Sequence, residues 1–187
     1  MRVSDGIYAR AEGRWLGACL LALIVLSVIL MGIVAPALTS ITGMPVLDVR
    51  FGYSPEEANA FFGALGNGGM ALYLILVGVD TLYPAVYALS ASLALGMLHM
   101  RVCRDGRLSD IVLLPLLAAA FDYGENILLL SQALSYPTVI DSVIEIASIL
   151  TAAKWIVLTV VLVLILLEGL YYLVLMTRNR GTPLLAT

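Results

Sequence analysis

Long apolar segments alternate with short polar ones along the whole chain. The four apolar segments cover about 15–38, 70–98, 111–134 and 143–176. Each reaches the roughly 20 residues that a helix needs to cross the hydrocarbon core of a bilayer. Strands of a membrane barrel would instead give alternating segments of about ten residues. The pattern therefore predicts an all-α, polytopic membrane protein with four transmembrane helices.

The fourth apolar segment is too long for one straight span. At about 1.5 Å of rise per residue, a helix over the whole segment would exceed the roughly 30 Å of the hydrocarbon core. We place the fourth span at about 150–176. The residues before it, 138–148, are expected to project outward or to lie at the membrane surface.

The segment 39–69 is predicted to be an external loop that carries a short helix over about 55–65. Ser54, Pro55 and Glu57 have the spacing of a capping box with proline at the first helical position. The next residues place apolar side chains on one helix face: Ala58, Phe61, Phe62 and Leu65. Such a helix is expected to lie at the outer membrane interface and to end at the glycine-rich sequence 66–69.

Composition supports the membrane class and excludes several others. The chain has 61% hydrophobic and 12% charged residues, with a mean hydropathy of +1.02, whereas a soluble domain has about 45–50% apolar and about 25% charged residues. A net charge of −3 provides no basic face for nucleic acid. His99 is the only histidine, so bis-histidine haem ligation and a histidine-rich metal site are excluded. No metal and no cofactor are predicted.

The distribution of arginines predicts the orientation of the chain. Both terminal flanks and the loop after the second span hold eight of the nine: Arg2, Arg10, Arg14, Arg101, Arg104, Arg107, Arg178 and Arg180. The ninth, Arg50, lies in the first external loop. The positive-inside rule then places both termini in the cytoplasm of a multi-pass cell-membrane protein, in the inner membrane if the cell is Gram-negative. The first apolar segment is longer than the about 7–15-residue core of a signal peptide, so we expect it to be retained.

Five ionisable side chains fall inside the predicted spans: Asp80, Asp122, Glu125, Lys154 and Glu168. A charge at the centre of a membrane helix costs about 2.5–3.5 kcal/mol on insertion scales, and such residues indicate a functional site by default. Glu168 lies towards the cytoplasmic end of the fourth span. We therefore assign it to a different environment from the other four.

Helical spacing brings three polar side chains of the third span together. Asp122 and Glu125 are three positions apart, and Asn126 follows Asp122 by four, so the three share one helix face. Gln132 continues that face towards the external end of the helix. The third span thus carries a polar stripe instead of an isolated charge.

A similar stripe is predicted on the second span. Asp80 and Tyr87 share a face, and Pro84 between them is expected to kink the helix. At about 1.5 Å per residue from the cytoplasmic ends, Asp80 and Lys154 fall between the middle and the outer boundary of the membrane, as does the stripe of the third span. We predict one ligand-binding or proton-handling site with these members: Asp80, Tyr87, Asp122, Glu125, Asn126 and Lys154.

Two interpretations of this cluster remain open. In the first, the side chains bond across helices and hold the bundle together, with Lys154 paired to Glu125 or Asp122. In the second, they line a binding or catalytic pocket. Asp80, Asp122 and Glu125 face one lysine, so at least one carboxylate must be protonated, hydrated or bound to a cationic partner. This excess of acids favours the pocket.

Three segments together carry a resemblance to a known family. VDTLYPAVYAL, LPLLAAAFDYGENILLL and TAAKW resemble a family of small four-helix bacterial integral membrane proteins with no assigned activity, over about Gly66 to Thr159. The matching positions are Asp80, Pro84, Tyr87, Asp122, Glu125, Asn126 and Lys154. The resemblance implies a four-helix fold in the membrane and carries no catalytic role to this chain.

Three function classes follow from these patterns. We rank first a protein that binds or transports a small amphipathic or cationic ligand, or protons, at the carboxylate cluster. The alternatives are a membrane-embedded enzyme that acts on a lipid or isoprenoid, and a structural or accessory subunit of a membrane complex. Expected partners are the lipid bilayer and a lipid or small-molecule ligand, but not nucleic acid. The sequence leaves open whether the protein is an enzyme and whether it forms a homo-oligomer or joins a membrane complex.

Overall fold

The computed structural model describes residues 3–103 and 110–180, and it is helical throughout. Three of the arginines used for orientation, Arg2, Arg104 and Arg107, lie outside the described residues. Seven α-helices are present in the described part: α1 (Val3–Arg10), α2 (Gly13–Ser27), α3 (Ala35–Thr42), α4 (Pro55–Asp80), α5 (Tyr83–Val102), α6 (Leu114–Ser135) and α7 (Asp141–Arg180).

Four helical stretches are long and apolar enough to cross a membrane: Gly13–Thr42, Pro55–Val102, Asp110–Ser135 and Asp141–Arg178. The all-α fold with four such stretches is therefore confirmed. α6 packs along both α5 and α7, and α5 also packs against α2. The central helix of the bundle is thus α5, which contacts all three of the others.

The first stretch is not a uniform α-helix. A π-helical segment, Val28–Val34, joins α2 to α3, and Gly43 ends α3 with a φ of 70°. The sequence pattern did not indicate this segment. Most apolar side chains of α2, such as Leu21 and Ile24, are exposed on the protein surface, as expected of a helix that faces lipid.

The predicted capping box is present at the start of α4. The backbone N–H of Ser54 donates to Glu57 Oε2 at 2.8 Å, and the backbone N–H of Glu57 donates to Ser54 Oγ at 3.2 Å. Gly66, with φ 55° and ψ −170°, interrupts the helix where the sequence predicted its end. Only glycine adopts this backbone conformation readily. The segment 55–65 is therefore a distinct helical unit.

The apolar face of the segment 55–65 is directed into the protein. Phe61 and Phe62 are fully or almost fully buried and pack edge-to-face with each other and with Tyr73. Ala58 and Leu65 belong to the same core cluster. The apolar face therefore packs on the bundle and not on lipid, while the position of the segment at the membrane surface stays a prediction.

The second stretch is interrupted next to Asp80, one of the predicted site residues. α4 ends at Asp80 and α5 begins at Tyr83, with Pro84 in its first turn. Proline has no N–H to donate to the carbonyl four residues earlier, so the helix cannot continue unchanged through this point. Tyr123 of α6 donates to the carbonyl oxygen of Thr81 at 2.8 Å and satisfies one of the freed backbone groups.

The bundle has two ends that differ in structure. At the end that holds α1, Ile7 and Tyr8 pack against α5, and His99 Nδ1 lies 2.8 Å from Glu168 Oε1. We call this the terminal end. Glu168 is thus in the separate environment that the sequence predicted. The sequence did not predict α1 as a packed helix.

At the opposite end, which we call the loop end, α7 contacts the segment between α3 and α4. α7 has 40 residues and a length of about 60 Å, so it is twice as long as the hydrocarbon core is thick. Ile144 and Ala147 are buried in the core, and Ser148 Oγ accepts a hydrogen bond from the backbone N–H of Tyr53 at 2.9 Å. The first turns of α7 therefore pack on the protein's own loop.

Candidate functional site

Lys154 lies at the centre of the polar cluster and is almost fully buried. Its Nζ is 2.7 Å from Glu125 Oε2, 3.2 Å from Asp122 Oδ1 and 3.3 Å from the carbonyl oxygen of Asp48. An ammonium group has three N–H donors. All three donors of Lys154 therefore have acceptors from the protein.

The two carboxylates that pair with Lys154 also accept hydrogen bonds from tyrosines. Tyr87 of α5 donates to Asp122 Oδ2 at 3.0 Å, and Tyr53 donates to Glu125 Oε1 at 3.4 Å. Burial and the charge of Glu125 raise the pKa of Tyr53 above its usual value, so its hydroxyl stays protonated and able to donate. Tyr87 thus connects the Lys154–Asp122 ion pair to α5, and Tyr53 connects the Lys154–Glu125 ion pair to the loop end.

Asp80 joins the cluster through a different contact. Asn126 Nδ2 of α6 donates to Asp80 Oδ2, as the helical faces predicted. Asp80 is the last residue of α4, so this bond ties the break in the second stretch to α6. The side chain is 4% exposed, and its other oxygen, Oδ1, has no hydrogen-bond partner among the described residues.

Asp48 is a fourth carboxylate at the site, and the sequence analysis missed it. It belongs to a short 3₁₀ turn, Leu47–Val49, between α3 and α4, where it is flanked by apolar residues. Its Oδ1 is buried and has no hydrogen-bond partner in the described structure. Burial raises the pKa of the Asp48 carboxyl, and the charge of Asp122 adds to this rise while Lys154 opposes it. The nearby Arg50 binds Pro45 O and Glu57 instead.

The acids of the cluster outnumber its cations. Among the described residues, Lys154 forms ion pairs with Asp122 and Glu125, whereas Asp48 and Asp80 have no ion-pair partner. The sequence predicted three acids for one lysine, and the structure adds Asp48. Two buried carboxylates are therefore left without a cation.

A cavity of about 450 Å³ borders the cluster, within the usual range of small-ligand sites, about 300–1,000 Å³. Its polar lining is concentrated near Lys154 and consists of Asp48, Asp80, Tyr83, Tyr87, Asp122 and Lys154 itself. The rest of the lining is apolar apart from Ser90. The cavity is thus polar at one end and apolar along the rest of its length.

The apolar part of the cavity is a groove along α5 and α7. On α7 the lining residues run from Lys154 to Ile165, a helical distance of about 16 Å. On α5 the facing residues Ser90, Ala91 and Ala94 are small. Small side chains leave space between two helices that larger ones would fill. The groove therefore follows from the composition of α5 and extends from the polar end towards the terminal end.

The groove opens sideways between the first stretch and α7. Leu20 of α2 and Met31 of the π-helical segment line one edge, and Leu162 of α7 lines the other. All three are exposed on the protein surface, at 42%, 43% and 56%. In a membrane such exposed apolar rims face lipid. If the four stretches span a membrane, the cavity would open towards the bilayer at this edge.

The structure divides the sequence-predicted site residues into two groups. Asp80, Tyr87, Asp122 and Lys154 line the cavity. Glu125 and Asn126 do not: Glu125 is completely buried against Lys154, and Asn126 is bonded to Asp80.

Four residues at or near the site were not among the predicted site residues: Asp48, Tyr53, Tyr83 and Trp155. The isolated acid in the apolar stretch 44–51 was a usable signal for Asp48. Tyr83 lies one helical turn before Tyr87 and shares its face, as the rings 5.6 Å apart show. For Tyr53, whose contact depends on how the loop folds, the sequence held no comparable signal.

Comparison with protein-family models, with curated proteins and with solved structures found no match. In residues 3–103 and 110–180, no group of three or more His, Cys, Asp or Glu side chains is arranged to hold a metal ion. The geometry of the cluster and of its cavity is therefore the basis on which function is argued.

Proposed function

We propose that the protein binds a single-chain amphipathic molecule that enters from the bilayer. The observation that carries this proposal is the cavity itself, which combines one polar end, an apolar groove of about 16 Å and a lateral opening. Ligand sites are mostly apolar with a few converging polar groups, and this cavity has that composition. The chain of the ligand would lie between α5 and α7, with its head group beside Asp80 and Asp122.

We further propose that both termini are cytoplasmic, as the arginine distribution predicts. In that orientation the loop end faces outward and the polar end of the cavity lies in the outer half of the membrane. The head group of the ligand would then sit nearer the outer leaflet and its chain would point towards the cytoplasm. Transport would require a second opening, so we propose binding and leave translocation to experiment.

A structural role is the second candidate, and it applies to part of the cluster. Glu125 has no exposed surface, is bonded to Lys154 at 2.7 Å and does not reach the cavity. Buried interhelical hydrogen bonds of this kind hold membrane bundles together. Glu125 and Asn126 therefore fit the role of a scaffold that positions Lys154 and Asp80.

The fluorescence of Trp155 provides a test, because this residue lines the cavity. The chain has only two tryptophans, so Trp15→Phe leaves Trp155 as the sole reporter. The full chain in phosphatidylcholine nanodiscs would be titrated with a 14-carbon alkylamine brominated at mid-chain, since bromine quenches tryptophan on contact. We expect quenching that saturates. Quenching that only rises linearly, as bilayer partition alone would give, would contradict the proposal.

A matched pair of variants would separate cavity binding from adsorption to the surface. Ala91→Phe fills the groove, whereas Leu89→Phe adds the same ring on the exposed face of α5. We expect Ala91→Phe to abolish the saturable component and Leu89→Phe to retain it. Equal quenching in both variants would show that the probe does not occupy the groove.

A further inference from the structure

We infer that the head group of this ligand is an ammonium that carries N–H donors, which makes the ligand a long-chain primary or secondary amine. The inference rests on the proposed binding function and adds the chemical class of the ligand. It follows from three properties of the polar end: the protein's donors that are already used, the acceptors that are free, and the balance of charge.

The donors of Lys154 and Tyr87, which lie next to the carboxylates, are committed to the protein. All three N–H groups of Lys154 have acceptors, and the Tyr87 hydroxyl donates to Asp122. The Tyr83 hydroxyl lies 3.3 Å from Ser27 Oγ and can share a hydrogen bond with it. A phosphate, sulfate or carboxylate head group needs several donors. Lys154 and Tyr87 can offer it none without breaking these bonds, which leaves two neutral donors in the lining, the Tyr83 hydroxyl and the indole N–H of Trp155.

The free groups at the polar end are acceptors. Asp80 Oδ1 has no hydrogen-bond partner among the described residues, although the side chain is 4% exposed and lines the cavity. Asp48 also lines the cavity, and its buried Oδ1 has no partner either. Asp48 Oδ1 is a buried acceptor without a donor, which is unfavourable, and Asp80 Oδ1 accepts no hydrogen bond from the described residues, so a ligand that brings N–H groups gains most here.

Charge leads to the same ligand class. Asp48, Asp80 and Asp122 line the cavity together with one cation, Lys154. An anionic head group would meet this excess of carboxylates at low dielectric, where like charges repel strongly. An ammonium would supply the missing counter-charge to Asp80 and Asp48, which have no ion-pair partner in the described part of the chain.

A quaternary ammonium fits the site less well than an ammonium with N–H groups. Quaternary cations are recognised by the open faces of aromatic rings, not by hydrogen bonds. The ring of Trp155 already has Lys154 Nζ at 5.8 Å from its centroid, and the rings of Tyr83 and Tyr87 pack edge-to-face on each other. The carboxylate oxygens, in contrast, need N–H donors.

Four brominated 14-carbon probes that differ only in head group would test the inference in the Trp15→Phe protein. They are the primary amine, the trimethylammonium, the alcohol and the sulfate, each measured in phosphatidylcholine nanodiscs against the Ala91→Phe blank. We expect the amine to bind more tightly than the alcohol by roughly tenfold or more, the scale of one hydrogen bond to a charged group. The trimethylammonium should bind more weakly than the amine, and the sulfate should bind most weakly.

Asp80→Asn provides the matched variant, because an asparagine can keep the bond from Asn126 while losing the negative charge. We expect this variant to bind the amine about as weakly as wild type binds the alcohol, and to bind the alcohol unchanged, which also shows that it is folded. Amine and alcohol binding equally well, or unchanged amine binding in Asp80→Asn, would overturn the inference and leave the cavity proposal intact. Failure of all four probes to give a saturable signal would instead refute the proposed function itself.

Discussion

Lys154 and Glu125 form a buried ion pair in which Nζ and Oε2 are 2.7 Å apart and the glutamate has no exposed surface. Removing one partner of a buried pair leaves the other charge uncompensated and costs about 3–5 kcal/mol in soluble proteins. We therefore expect Lys154→Met to lower the melting temperature strongly, because it strands both Glu125 and Asp122. Glu125→Gln should lower the melting temperature less, because Lys154 still has its ion pair with Asp122.

The double variant, Lys154→Met with Glu125→Gln, completes a cycle for this pair. Since the two residues are in contact, the two losses should not add, and the double variant should be more stable than their sum predicts. Thermal unfolding in one detergent or one nanodisc composition measures all four proteins. Additive losses would show that the ion pair contributes no coupling energy.

Asp48 should make stability depend on pH. Burial raises the pKa of its carboxyl in the folded protein, whereas in the unfolded chain the pKa stays near its ordinary value of about 3.9. Between these two values the folded state binds more protons than the unfolded state, so the stability falls as the pH rises from about 4 to the raised pKa. Asparagine cannot ionise, so Asp48→Asn should be more stable than wild type at pH 7 and similar to it near pH 4. The melting temperature of both proteins would be measured across this pH range. The same dependence of melting temperature on pH in both would refute the role given to Asp48.

Gly66 and Gly68 offer a matched pair for the break in α4. A Cβ at either position would meet no heavy atom within 4 Å, but only Gly66 has a positive φ, of 55°. We expect Gly66→Ala to destabilise the protein by about 1–3 kcal/mol through backbone strain. Gly68→Ala should be neutral or slightly stabilising, because alanine favours helix. Equal effects of both substitutions on the unfolding temperature would show that the chain does not need the bend at Gly66.

The orientation is testable by labelling with a membrane-impermeant maleimide. Cys103 follows α5 at the terminal end, whereas Glu56 is exposed in the first turn of α4 at the loop end. In a Cys19→Ala background, we expect Cys103 to react only after the membrane is permeabilised. In a chain without native cysteines, Glu56→Cys should react in intact cells. Reaction of Cys103 from outside would reverse the proposed orientation of the cavity.

The fold was largely predictable because membrane helices are encoded by length and apolar composition. The capping box at Ser54 and the end at Gly66 were also predictable, because each depends on local backbone chemistry. The π-helical segment Val28–Val34 was not predicted, although Gly32 lies within it and Pro36 follows it, because both residues also occur in regular membrane helices. Nor was the packing of α1, which depends on contacts with α5 that are distant in sequence.

The site was predictable only where helical spacing determines it. Asp122 and Asn126 lie on one face of α6 in any helix, so their alignment followed from sequence. Asp48 reaches the cluster from a short 3₁₀ turn in the loop between α3 and α4, and its contact with Lys154 spans 106 positions. Helical spacing also could not show that Glu125 would lie outside the cavity lining. Loop conformation and helix rotation are decided by tertiary packing, which no local pattern encodes.

The order of synthesis gives the Lys154 contacts a consequence for biogenesis. The ribosome delivers the chain from its N-terminus, so Asp80, Asp122 and Glu125 emerge before the lysine that neutralises two of them. If these spans insert as they are made, the carboxylates would enter the membrane either protonated or still in contact with water, because an uncompensated charge in a span is costly. Lys154 of α7 supplies both ion pairs and the hydrogen bond to the Asp48 carbonyl oxygen, so these contacts form only after α7 has been made. The last helix to be made is therefore the one that completes the site.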